Sequence, residues 1–71
     1  MTGIVGKTAG RLEAGDIVLI DNDRWRVVCT PSIAAGWAYL IVEHADPAPG
    51  QRPARWSRQY RRGHSFTVVA R

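Results

Sequence analysis

One cysteine and one lysine occur in this 71-residue chain, and no acidic residue follows Asp46. A single thiol, Cys29, excludes an internal disulfide framework and a zinc site built from cysteines. No stretch approaches the roughly 18 consecutive apolar residues of a membrane span. The opening residues lack a charged segment leading into a long apolar stretch, so no signal peptide is expected, and a soluble, cytoplasmic chain without a membrane partner follows. Repeats, low-complexity tracts and heptads are also missing. A chain this short buries only about 60% of the surface its unfolded form exposes, enough for one small domain.

Hydrophobic residues make up 45% of the chain, normal for a folded domain and too many for a disordered one. Net charge is +4, and nine of the ten basic residues are arginine. Arginine, alanine and glycine codons are GC-rich, so this bias fits a GC-rich genome. It also fits guanidinium chemistry, with its bidentate phosphate contacts and stacking.

Residues 1–10 contain three glycines and no periodic pattern, and are expected to be a flexible lead-in to a domain spanning 11–71. Gly6-Lys7-Thr8 imitates the end of a phosphate-binding loop. No strand fits before it and Gly10 interrupts any helix after it, so the match fails. Leu12 is expected beneath the barrel, and Gly15 in a backbone conformation other residues avoid.

The clearest local signal is Ile17–Ile20, then Asp21-Asn22-Asp23, then Arg24–Thr30: two β-rich runs around an Asx-rich turn. In the second run Trp25, Val27 and Cys29 share an apolar face, which places Cys29 inside the core. Pro31–Gly36 reads as a loop. Trp37–His44 reads as a strand, either central or with one face in the core and the other an aromatic surface patch. Residues 45–54 hold three of the four prolines and read as a projecting loop. Residues 55–62 read as a strand, with Trp56, Arg58, Tyr60 and Arg62 on one face. A short helix over 53–62 is the alternative, with Pro53 at its start and Gly63 at its end. Residues 64–71 form the last strand, with Phe66, Val68 and Ala70 on one face. The sum is an all-β fold, a small five-stranded SH3-like barrel, with an OB-like closure second.

Gly15-Asp16-Ile17-Val18-Leu19-Ile20-Asp21-Asn22-Asp23-Arg24-Trp25-Arg26-Val27-Val28 resembles the opening hairpin of the SH3-like N-terminal domain of translation elongation factor P and its relatives. In that family a glycine starts the strand, an Ile-Asp-Gly-type turn follows, and an aromatic residue and a valine pair come next. The resemblance implies the SH3-like fold. The modified lysine which that family carries in the following loop has no counterpart in Pro31–Gly36, so no activity carries over. Short arginine-rich chains of this kind also resemble products of bacteriophages of high-GC bacteria.

Charge is divided along the chain. Residues 1–46 hold all six acids and a net charge of −2; residues 47–71 hold six arginines and a net charge of +6. Interleaved aromatics and arginines suit nucleic acid, because guanidinium groups pair with phosphate oxygens and aromatic faces stack on unpaired bases. The candidate nucleic-acid-binding residues are Arg52, Arg55, Trp56, Arg58, Tyr60, Arg61, Arg62 and His64. The competing expectation is a protein-interaction module, a phage virion component or an inhibitor of a host protein, using Trp37 and Tyr39. Three tryptophans are more than a small barrel hides, so Trp25 and at least one of Trp37 and Trp56 should be core anchors.

Other candidate chemistry is weaker. Asp21 and Asp23 sit where a hairpin turn wants Asx residues, and need no acid–base role. Cys29, His44, Asp46 and His64 lack a metal-ligand spacing. No serine or cysteine stands in a nucleophile motif. The expected protein is not an enzyme and takes no metal or cofactor.

Overall fold

The computed structural model describes residues 5–70, with the backbone alone for Ala70. Residues 1–4 of the expected lead-in and Arg71 of the expected last strand lie outside the described residues. The strands are β1 (Val5–Thr8), β2 (Ile17–Ile20), β3 (Asp23–Val27), β4 (Ser32–Ala34), β5 (Trp37–His44), β6 (Arg55–Arg61) and β7 (Ser65–Ala70). They form one antiparallel sheet that curls into a half-barrel. The sole helical element among the described residues is a single 3-10 turn at Ala9–Arg11, and no helix is long and apolar enough to cross a membrane. The short helix considered over 53–62 is therefore replaced by strand β6.

Local sequence explains the β2–β3 hairpin. Ile20 pairs with Asp23, leaving Asp21 and Asn22 as a two-residue loop with φ of 52° and 67°. Asx side chains tolerate this left-handed region, and the mirror-image turn it makes matches the strand twist. Asp23, expected in the turn, opens β3 instead. Gly15 has a φ of +94°, as expected before this hairpin.

The centre of the sheet is β5. Its Ala38, Leu40 and Val42 are fully buried, while Tyr39 and Ile41 lie on the outer face, 43% and 38% exposed. The strand thus has one core face and one surface face. Along one edge β5 pairs with β3 at residues 42–44 and with β4 at residues 37–39; along the other it pairs with β6 from Trp37 to Glu43. The core beneath it gathers Ala9, Leu12, Val18, Trp25, Val27, Phe66 and Val68, with Ile20 and Tyr60 packed against it. Burying a side chain such as Leu40 contributes about 1.5–3 kcal/mol.

Four expectations are corrected. Residues 5–8, expected to be irregular, form β1 and pair with β7 from Val5↔Val68 to Thr8↔Ser65. Their partner lies at the other end of the chain, so no local alternation was required. Ser32–Ala34, expected as loop, forms β4 and turns into β5 through Ala35-Gly36, both at positive φ. Cys29 is exposed, not buried. Regular pairing of β3 stops at Val27, and the Val28 amide makes one more bond to the Ile41 carbonyl. Beyond that point β4 continues along the same edge of β5 from Ser32↔Tyr39, two residues out of register, so residues 29–31 bulge from the pairing. Cys29 rides on that bulge, and Pro31 is buried in its stead.

The fourth correction concerns closure. Seven strands replace five, and the barrel is open. Only residues 62–64 separate β6 from β7, yet the two do not pair. Their connecting turn is tied elsewhere: the Ala9 amide donates to the His64 carbonyl at 2.8 Å and the Gly10 amide to the Arg62 carbonyl at 3.0 Å. The turn's carbonyls serve the 3-10 segment, and β6 is left as an edge strand hydrogen-bonded to β5 alone among the described strands.

Candidate nucleic-acid interface

Register decides which β6 side chains can act together. Across from β5, Val42 meets Trp56, Leu40 meets Arg58 and Ala38 meets Tyr60. Directly paired residues share a face, so Trp56, Arg58 and Tyr60 lie on the inner, concave side with the core residues. Glu43 meets Arg55, Ile41 meets Ser57, Tyr39 meets Gln59 and Trp37 meets Arg61, so Arg55 and Arg61 lie on the outer side. The eight candidate residues therefore do not form one patch.

The inner face is aromatic with one cation. The Arg58 guanidinium carbon sits 4.7 Å from the centroid of the Trp56 ring. Trp56 remains 47% exposed and meets the buried Trp25 edge-on at 5.8 Å, and Trp25 in turn meets His44 at 5.2 Å. At the other end, Tyr60, His64 and Phe66 form a three-ring cluster with centroid separations of 4.8–5.1 Å. Between β6 and the diverging ends of β2 and β7 lies an open groove of about 360 Å³, lined by Arg58, Tyr60, His64 and Phe66 with Ile20 and Asp21. The open seam of the half-barrel thus carries the groove. Trp25 is the fully anchored tryptophan, Trp37 is half-buried, and Trp56 is the most exposed of the three.

The outer arginines are largely committed. Glu43 accepts from Arg26 at 3.0 Å and from Arg55 at 3.3 Å, bridging β3, β5 and β6. The hydrogen bond from Arg55, then that from Arg26, holds the Glu43 carboxyl below its ordinary value of 4.5. Arg61 lies over the Trp37 ring at 4.9 Å. Arg52 stands in the proline-rich loop, beside His44 and Asp46. Arg62 belongs to the turn after β6 and faces the 3-10 segment rather than the groove.

No family model matches. No curated protein and no solved structure matches the chain at a level that shows a relationship.

Sequence reasoning missed two features. Asp16 is 1% exposed and accepts from Lys7 Nζ at 2.9 Å and from the Glu13 amide at 2.9 Å, tying β1 to the segment before β2. Arg11 lines the same cleft as Arg62, 51 positions away in sequence. Neither arrangement has a spacing signature, since each depends on β1 pairing with β7.

Proposed function

We propose that this chain is a non-enzymatic module that binds single-stranded nucleic acid along the inner face of β6. The observation that carries the reading is the pairing of a half-exposed Trp56 with the Arg58 guanidinium on an edge strand, in a segment that contains no acid. Trp56 and Tyr60 would stack on bases, and Arg58 would hold phosphate. A base on Trp56 is compatible with Arg58, since the guanidinium plane stacks on rings while its edge pairs with phosphate. The groove between β6 and β7 is an open, shallow site, suited to a strand with unpaired bases. The SH3-like likeness of residues 15–28 belongs with this proposal. The test is a gel shift with single- and double-stranded DNA and RNA at two salt concentrations. Single strands are expected to bind at low salt and to be released steeply as salt rises. No binding to any of them at low salt would refute the reading.

A second reading has its own observation. Tyr39 and Ile41 are exposed on the outer face of β5, beside Trp37 under Arg61. Such a patch suits a protein partner, as in a virion component or an inhibitor of a host protein. Binding there would change little with salt, which separates the two readings.

A further inference from the structure

Sorting the nine described basic side chains by what they touch isolates one place. Lys7, Arg24, Arg26 and Arg55 are in ion pairs with Asp16, Asp46 and Glu43. Arg58 and Arg61 lie over tryptophan rings. Arg11, Arg52 and Arg62 remain, with neither an acidic partner nor a ring among the described residues. Two of these three, Arg11 and Arg62, line a single cleft of about 380 Å³ together with Thr8, Gly10 and Gly63.

The fold builds this cleft deliberately in one sense: backbone bonds, not the side chains, hold the two arginines near each other. The Gly10 amide donates to the Arg62 carbonyl at 3.0 Å, the Ala9 amide to the His64 carbonyl at 2.8 Å, and the Arg62 amide to the Gly36 carbonyl at 2.9 Å. Gly10 is also in close contact with Arg62: a Cβ at position 10 would lie 3.0 Å from Arg62 Cγ. The absence of a side chain there lets the Arg62 stem lie flat against the 3-10 turn. Two arginine side chains lining one cleft offer an oxyanion two sets of charge-assisted donors, with no acid between them to neutralise the charge. The Thr8 hydroxyl adds a neutral donor. An adjoining groove, which shares Thr8 and Arg11, adds Lys7 and Glu13, with Lys7 committed to Asp16.

We propose that Arg11, Arg62 and Thr8 form an oxyanion site that takes a phosphate group, either free or carried by a nucleic-acid backbone. The site stands apart from the β6 groove and goes beyond the function proposed above.

The test uses the full chain and inorganic phosphate as the probe, followed by amide NMR at constant ionic strength with chloride as the balancing anion. Saturable shifts are expected at Thr8, Gly10, Arg11 and Gly63. Arg11→Gln and Arg62→Gln should each weaken phosphate binding about tenfold, the loss of one charge-assisted bond. Neither side chain has a hydrogen-bond partner among the described residues, so both variants should fold; circular dichroism checks this. Gly10→Ala, which pushes the Arg62 stem aside, should weaken phosphate binding as well. A second arm titrates a short single-stranded oligonucleotide. If the site holds a backbone phosphate, Arg11→Gln weakens the oligonucleotide and free phosphate competes with it. If the site serves free phosphate, Arg11→Gln weakens phosphate binding and leaves the oligonucleotide unaffected. Phosphate binding without any oligonucleotide binding would support this site while refuting the β6 reading. Shifts that do not saturate, that chloride reproduces, or that both Gln variants retain would overturn the proposal.

Discussion

The Arg58 guanidinium carbon lies 4.7 Å from the centroid of the Trp56 ring, two residues back on the same face of β6. A cation held over an indole whose ring is half in solvent gains about 0.5–1 kcal/mol. It also presents a flat, positively charged platform, and the first prediction rests on it. Trp56→Ala should weaken single-strand binding by about 1–3 kcal/mol. The fold should survive, because Trp56 is 47% exposed and meets Trp25 edge-on. Thermal melting and an oligonucleotide titration read the two effects separately. An unfolded variant would mean that Trp56 is a core residue after all.

The two faces of β6 give a sharper experiment than wholesale removal of charge. Arg58→Gln should lower the salt slope of binding by about 0.7–0.9, the loss of one phosphate contact. Arg55→Gln should change it little, since Arg55 is engaged by Glu43. Arg61→Gln should also change it little, since Arg61 sits on the outer face over Trp37. The triple Gln variant of Arg58, Arg61 and Arg62 should then lose affinity for all sequences alike. If Arg61→Gln proves the more damaging single change, the interface moves to the outer face with Trp37 and Tyr39.

Cys29 should react with a thiol reagent in the native protein as fast as in urea, because it lies exposed on the bulge between β3 and β4. Cys29→Ser should change stability by less than about 0.5 kcal/mol, as surface substitutions do. Strong native protection from labelling would contradict the exposed bulge and restore an inward-facing Cys29.

Acid should weaken the link across β3, β5 and β6. The Glu43 carboxyl titrates below its ordinary 4.5 in the folded chain, chiefly through Arg55 and then Arg26. Its contribution is therefore full above the unfolded value and fades as pH falls through the lower folded value. The melting temperature of the native chain should exceed that of Glu43→Gln at neutral pH. The two should converge once pH falls below the lowered folded value, where the carboxyl is protonated in both states. A gap that stayed constant with pH would show that the ion pairs add nothing.

Lys7→Ala should cost about 1–3 kcal/mol, less than a fully buried pair because Lys7 is partly in solvent. The loss would be read by urea denaturation. A neutral effect would mean that β1 contributes little to the fold.

How much was legible in the sequence varied with the distance to the partner. The β2–β3 hairpin was legible because its two strands are separated by Asp21 and Asn22, whose side chains suit the turn. The inward set on β5 was legible as an alternation, although Ala38 and Tyr39 are both apolar enough that only burial told the faces apart. For β6, the shared face of Trp56, Arg58 and Tyr60 followed from strand parity alone.

Tertiary structure decided the rest. Parity says which residues travel together but not which side is inward; the register Val42↔Trp56 against β5 chose it, and so split the arginines into two sets. The β1 strand has no pattern of its own, and exists because β7 offers it an edge. Cys29 left the core because residues 29–31 bulge out between the β3 and β4 pairings to β5, a break in alternation that no period-2 reading contains. Arg11 and Arg62 met because amides of the 3-10 turn needed carbonyl partners and found them in the turn after β6. The amino-acid order by itself determined the all-β character, the first turn and the concentration of positive charge, since these depend on neighbours in the chain. Pairing between distant strands determined the open barrel and the grouping of its arginines, since backbone hydrogen bonds must be satisfied wherever a partner edge lies.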